Sequence, residues 1–160
     1  MSVQIQTADF DVGTEWRAMH HDVAGVAGGI AAFSGLVRGQ FAGHAVETLF
    51  LEHYPGMTET SIQTILSRAA ARFELNAARV IHRVGRLEPG EQIVLVLCAA
   101  EHRGAAFDAC QYVMDYLKKD AVFWKKETGA RGARWVQSTR VITTASNDGA
   151  TERLHWGDAP

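Results

Sequence analysis

Apolar and polar residues alternate along Val3–Gln4–Ile5–Gln6–Thr7, the two-residue period of a strand with one wet face, and Thr14 to His20 reads as a short helix. Gly28 to Val37 (GGIAAFSGLV) is apolar enough for a buried strand and ends at Arg38. The glycine-containing stretch Gly39 to Gly43 breaks the pattern, and Thr48 to His53 resumes it as another strand. Ile62, Ile65, Leu66, Ala69, Ala70 and Phe73 then recur at helical spacing, the apolar stripe of an amphipathic helix starting near Thr58. Val80 to Val84 and Ile93 to Ala100 are the strongest strand candidates. Leu87–Glu88–Pro89–Gly90 lies between them as a turn, so the pair predicts a hairpin. From Gly104, residues Ala106, Cys110, Val113, Met114 and Leu117 fall three and four apart, predicting a second amphipathic helix to about Lys119. Strands paired by hairpins, with helices between them, predict an α+β sandwich and not a doubly wound parallel sheet.

At 160 residues and 47% hydrophobic content, the chain suffices for one core and is short for two. A formal charge of −2 asks for neither nucleic acid nor an anionic membrane, so any anion site must be local. Cys98 and Cys110 sit in apolar stretches and form no C-x-x-C pair, which suits buried thiols in a reducing, cytoplasmic compartment. Met1 to Phe10 lacks the basic start and apolar run of a signal peptide. No segment approaches the roughly 20 apolar residues of a spanning helix.

Four features are able to carry chemistry, and each has a plainer reading. Lys118–Lys119 and Lys125–Lys126 are seven apart, which brings Lys118 and Lys125 to one side if the backbone stays helical; composition alone favours a solvated face. His102–Arg103 stands at a predicted helix start, where unpaired amides and the helix dipole favour an anion; a plain surface pair fits the residues equally. Arg38, between an apolar strand and a flexible stretch, is placed to be aimed into a cleft, although a lone arginine there is more often surface. Glu52–His53–Tyr54–Pro55–Gly56–Met57 runs from a strand end into a turn, and a structural turn is the better reading for most of it. The seven histidines show no H-x-x-x-H or H-E-x-x-H spacing, so no metal and no cofactor are expected. Serine-hydrolase elbows and Walker-type glycine loops do not occur.

The segments Leu51–Glu52–His53–Tyr54–Pro55–Gly56–Met57–Thr58, Val80–Ile81–His82–Arg83–Val84–Gly85, Ala100–Glu101–His102–Arg103, Met114–Asp115–Tyr116–Leu117–Lys118 and Phe123–Trp124–Lys125–Lys126–Glu127 follow one another in a distinctive order and spacing. Together they resemble the large, catalytic subunit of molybdopterin synthase. Arg134–Trp135–Val136 is similar to a late Arg-Trp element of that family, and the resemblance spans roughly Phe10 to Val136. It implies an α/β hammerhead with additional antiparallel β structure, a single domain over residues 1–143, followed by a C-terminal tail, 144–160. The polar run Ser146–Asn147–Asp148–Gly149 in that tail reads as mobile.

The resemblance further implies a sulfurtransferase that converts cyclic pyranopterin monophosphate, precursor Z, into the dithiolene of molybdopterin. Each sulfur arrives as the C-terminal thiocarboxylate of a ubiquitin-like small subunit, and the large subunit is a homodimer within a heterotetramer. Lys118 and Lys125 match the family's active-site lysines, while Arg38, His102 and Arg103 match basic residues around the pterin phosphate and pocket. Lys118 is assigned to the thiocarboxylate, and Lys125 to substrate binding and proton transfer. The set is chemically coherent, since a thiocarboxylate and a phosphate are both anions and arginine's planar fork suits phosphate. One departure is Val122, where the family commonly has proline, a residue that forces a break where valine need not. The alternative reading is a non-catalytic module that docks a ubiquitin-like tail. A phosphoester-processing enzyme is a further rival, but it needs a nucleophile or metal cluster that the sequence does not offer.

Overall fold

The structure is a computed structural model that describes residues 1–41, 44–121, 123–129 and 132–136. Along the chain come β1 (Ser2–Gln6), α1 (Val12–Asp22), β2 (Gly29–Leu36), β3 (Gln40–Phe41), β4 (His44–Ala45), β5 (Thr48–His53) and α2 (Met57–Phe73). Then follow β6 (Leu75–Arg83), β7 (Gly85–Leu87), β8 (Gln92–Ala100), α3 (Arg103–Asp120), β9 (Phe123–Gly129) and β10 (Gly132–Val136). Two four-stranded sheets result, ordered β1-β6-β8-β2 and β10-β9-β5-β7, with β3-β4 as a separate two-stranded ribbon. Only β1 and β6 run parallel; every other described pairing is antiparallel, as an α+β architecture requires.

The apolar run of β8 has no polar alternation because both of its faces are covered. Val94, Val96, Cys98 and Ala100 point to α2 and α3, meeting Ile62, Leu66, Ala69, Ala106, Ala109 and Val113. Leu95, Leu97 and Ala99 point the other way, to Phe10, Met19 and Val23 around α1. A smaller core of Val37, Leu49, Leu51 and Leu87 joins the second sheet to the first.

The expected hairpin is corrected in one respect. Strands β6 and β8 do pair antiparallel, His82 opposite Val94, but the chain between them detours through β7, which pairs with β5 in the other sheet. The expected turn is present after β7, where Gly90 takes φ 91° and the Glu91 amide donates to the Glu88 carbonyl. α1 begins earlier than its apolar pattern suggested, because the Asp11 carboxylate accepts from the Thr14 amide at 2.6 Å and caps it. α2 opens at Gly56, whose amide donates to the Glu59 carboxylate at 2.6 Å. Helical backbone does not continue from Lys118 to Lys125: it stops at Asp120, and Ala121 is extended at φ −71°, ψ 131°. Val122 and the tail from 144 lie outside the described residues.

The start of α3 is held by a close backbone approach. The Gly28 amide donates to the Ala100 carbonyl, and a Cβ on Gly28 would stand 2.1 Å from the Glu101 carbonyl oxygen. Backbone cannot rotate away as a side chain can, so Gly28→Ala is expected to cost about 1–3 kcal/mol, the range of an overpacked site. Gly104→Ala, in the first turn of α3 with nothing within 4 Å of its new Cβ, is expected to be neutral or stabilising by up to about 1 kcal/mol. Urea midpoints of the two variants check the contrast. Equal stability of both would contradict the close approach.

Candidate active site

Because α3 returns antiparallel to β8, its last turn lies over the strand's beginning, and a cavity of about 480 Å³ opens there. Phe33, Gly35 and Leu36 of β2 wall one side, Leu49 and Leu51 of β5 another, and Met114 and Leu117 of α3 a third, with Ile93 and Val94 at the base. Arg38, Lys118 and Lys125 bring three cationic side chains to this apolar chamber from three separate segments. Among the described lining residues there is no carboxylate. A cavity with apolar walls and three cations favours an anionic guest, although Arg38 and Lys118 are exposed and solvent moderates their attraction.

The two lysines converge by a route that periodicity did not foresee. Lys118 projects from the final turn of α3, and Lys125 stands opposite Leu51 in the β5–β9 pairing, on the face that carries the cavity. Strand alternation sends Lys126 to the other face of β9, opposite Phe50. Lys119 turns toward the ring of Tyr116, 6.0 Å from its centroid, outside the lining. Of the four neighbouring lysines, the two expected at the site are the two that line the cavity.

His102 and Arg103 are exposed at the other end of α3, where His102 is the N-cap without a side-chain capping bond. Arg103 and Lys118 are fifteen positions apart on one helix, about 22 Å along the axis. A single chain therefore does not bring this pair to the cavity. Among the described residues, no group of three or more His, Cys, Asp or Glu is arranged to hold a metal, and Cys98 and Cys110 are buried free thiols.

One lining residue carried no assigned role in the sequence. His82 is on β6, its ring stacked on Phe123 of β9 at 4.1 Å between centroids and 24° between planes. Its Nδ1 lies 2.8 Å from the Arg83 carbonyl oxygen, which only accepts, so Nδ1 carries the proton and Nε2 bears the lone pair. Burial pushes the imidazole down from 6.5 to about 4, partly opposed by that hydrogen bond, and the ring is neutral at pH 7. Next along the strand, the buried Arg83 guanidinium points to the opposite face. It donates to the carbonyls of Gln92 (2.9 Å) and Thr7 (3.3 Å), pairs with Glu91 (3.2 Å), and reaches Asp9 at 3.5 Å. This clamp ties the end of β6 to the N-terminal loop and to β8, and so fixes the backbone that aims His82.

The MoaE protein family matches residues 5–120. The molybdopterin synthase catalytic subunit of Pseudomonas aeruginosa is 51% identical over 137 residues, covering 86% of this chain and 91% of the relative. That of Ralstonia nicotianae is 50% identical, over 86% and 77% of the two chains. Among solved structures, the molybdopterin biosynthesis MoaE protein of Burkholderia ambifaria superposes with TM-score 0.78 at 44% identity, covering 90% of this chain and 94% of the other. Molybdopterin synthase from Staphylococcus aureus gives TM-score 0.76 at 25% identity, covering 83% and 95%.

The His82 geometry sets a pH dependence. The folded chain holds this ring neutral down to about pH 4, whereas in the unfolded chain it takes up a proton near 6.5. Between those values the unfolded state binds more protons, so the stability His82 contributes is full above pH 6.5 and is lost as pH falls toward 4. His82→Phe, which keeps an aromatic ring against Phe123, is expected to gain stability relative to the parent as pH drops from 7 to 4.5. Parallel urea melts check this, and a constant difference across that range would refute it.

Proposed function

We propose a function from one premise: this chain belongs to the MoaE protein family, the catalytic subunits of molybdopterin synthase. The chain transfers sulfur from the C-terminal thiocarboxylate of a ubiquitin-like small subunit to precursor Z, forming the dithiolene of molybdopterin. The observation that carries the residue assignment is the convergence of Arg38, Lys118 and Lys125 on one apolar cavity without a carboxylate among its described lining. Apolar walls suit an extended glycine-ended tail and exclude water, while the cations suit its thiocarboxylate and the substrate phosphate. Lys118 serves the thiocarboxylate, offsetting charge that develops at the acyl carbon; Lys125 binds substrate and moves protons. We assign residues 1–143 to the family domain and 144–160 to a C-terminal tail. Among the described residues no helix is long and apolar enough to cross a membrane, and we assign the chain to the cytoplasm.

The length of α3 decides how His102 and Arg103 take part. Because about 22 Å separate them from Lys118 on one rigid helix, they serve a cavity only when a second copy presents them. A homodimer with two composite sites, flanked by two small subunits, satisfies all five basic residues at once.

Three experiments test this reading. Mixing the chain with thiocarboxylated small subunit and precursor Z is expected to yield dithiolene product by mass spectrometry, and a carboxylate-tailed partner is expected to yield none. Lys118→Ala should lower turnover by at least about 10²-fold with the fold and dimer intact, and full activity in that variant would remove Lys118 from the mechanism. Arg103→Ala and Lys118→Ala chains, each impaired alone, should recover about a quarter of the wild-type sites when dissociated and reassembled at equal amounts, since random pairing gives half mixed dimers with one intact site each. Absence of recovery would rule out the composite site.

A further inference from the structure

Besides Arg38, Lys118 and Lys125, the described lining of the cavity contains one further titratable side chain, His82. The hydrogen bond from Nδ1 to the Arg83 carbonyl fixes the tautomer, leaving Nε2 as an acceptor. No described group bonds to Nε2, yet among the described residues no buried side-chain nitrogen or oxygen lacks a partner. Nε2 is therefore not sealed in the core: it opens onto the cavity that the ring lines. Stacking on Phe123 holds the ring plane, and Phe123 shares its strand face with Lys125, two residues on. The imidazole thus stands at the seam of the two sheets, fixed from one side by Arg83 and from the other by β9.

The other charged or titratable groups around it are Lys118 of α3, Lys125 of β9 and Arg38 after β2, with His53 and its neighbour Glu59 beyond Phe123. In their cationic forms Arg38, Lys118 and Lys125 bind anions, and Lys125 in that form hands on a proton but does not take one from water. The chemistry needs an acceptor. When sulfur has been joined to the pterin as an acyl thioester, water must add to the acyl carbon: a C–O bond forms and the C–S bond breaks. The sulfur stays on the pterin as thiolate and the tail leaves as carboxylate, releasing two protons per water consumed.

We propose that Nε2 of His82 is the proton acceptor for this step, taking one proton from the attacking water and passing it to solvent, while the second leaves with ionisation of the new carboxyl group. The proposal rests on the sulfur-transfer reading above. Bound anions strengthen the acceptor, because negative charge in the cavity favours the imidazolium and raises its basicity toward neutral pH.

Three variants of one residue separate base from scaffold. His82→Asn retains a donor where Nδ1 stands and deletes Nε2; His82→Phe retains the stack on Phe123 and deletes both nitrogens; His82→Gln restores an acceptor that is not a base. With thiocarboxylated partner and precursor Z, all three are expected to release product in single turnover on the order of 10²-fold more slowly, with partner affinity unchanged. The acidic limb of the wild-type rate against pH should vanish in each. A rate within twofold of wild type in His82→Phe, or an acidic limb that survives, overturns the proposal. Nitrogen-15 spectra of the unmutated chain decide it independently of folding or turnover. The His82 resonances should report Nδ1–H with an unprotonated Nε2, and addition of thiocarboxylated small subunit should shift Nε2. An Nε2 resonance that does not respond overturns the proposal even if product forms. A wild-type chain that makes no product sinks the sulfur-transfer reading instead.

Discussion

Burial of β8 on both faces is the constraint from which the rest of the architecture follows. A strand that is apolar on alternate and intervening residues alike needs two covers, and the chain supplies α2 with α3 on one side and α1 on the other. Because α3 follows β8 directly, it must run back along the strand it has just left. Its last turn then overlies Ile93 and Val94, where the second sheet approaches through Leu49, Leu51 and Leu87. The cavity is the space left where helix end and second sheet meet without closing.

The chamber divides its tasks between polar types. Arg38, Lys118 and Lys125 supply charge from a strand exit, a helix end and a neighbouring strand, so no one element sets the field. Arg83 carries its charge inward instead. Burying a guanidinium is costly unless every donor is used, and here two carbonyls and two carboxylates offset that cost. The return is rigidity beside His82, one residue away and on the other face of the strand.

Most elements were legible in the sequence because their apolar residues keep a period long enough to recognise. Ile62, Ile65, Leu66, Ala69 and Phe73, with the five positions from Ala106 to Leu117, fall on the faces of α2 and α3 that pack into the core. Strand β7 was not legible, since three residues at Gly85–Leu87 cannot display a period, and so the hairpin was drawn too simply. The identities of Lys118 and Lys125 came from motif resemblance, but their meeting in space depends on an extended Ala121 and a β9 register that seven-residue spacing does not encode. His82 was hidden for a different reason. A histidine within an apolar strand looks the same whether it fills a core or edges a cavity, and only the neighbouring sheet distinguishes the two.

Helix α3 begins at one basic pair and ends at a basic residue of the cavity, so it acts as a ruler as well as a cover. Adding or deleting one residue within it would turn Lys118 by about 100° and move it by about 1.5 Å relative to His102 and Arg103. Side chains on its outer face, such as Asp108, Gln111 and Asp115, are exposed, and exchanging them leaves both ends of the helix where they are. The count of residues between its ends is the constraint: a substitution along α3 keeps the spacing of its two basic ends, whereas a change in its length does not.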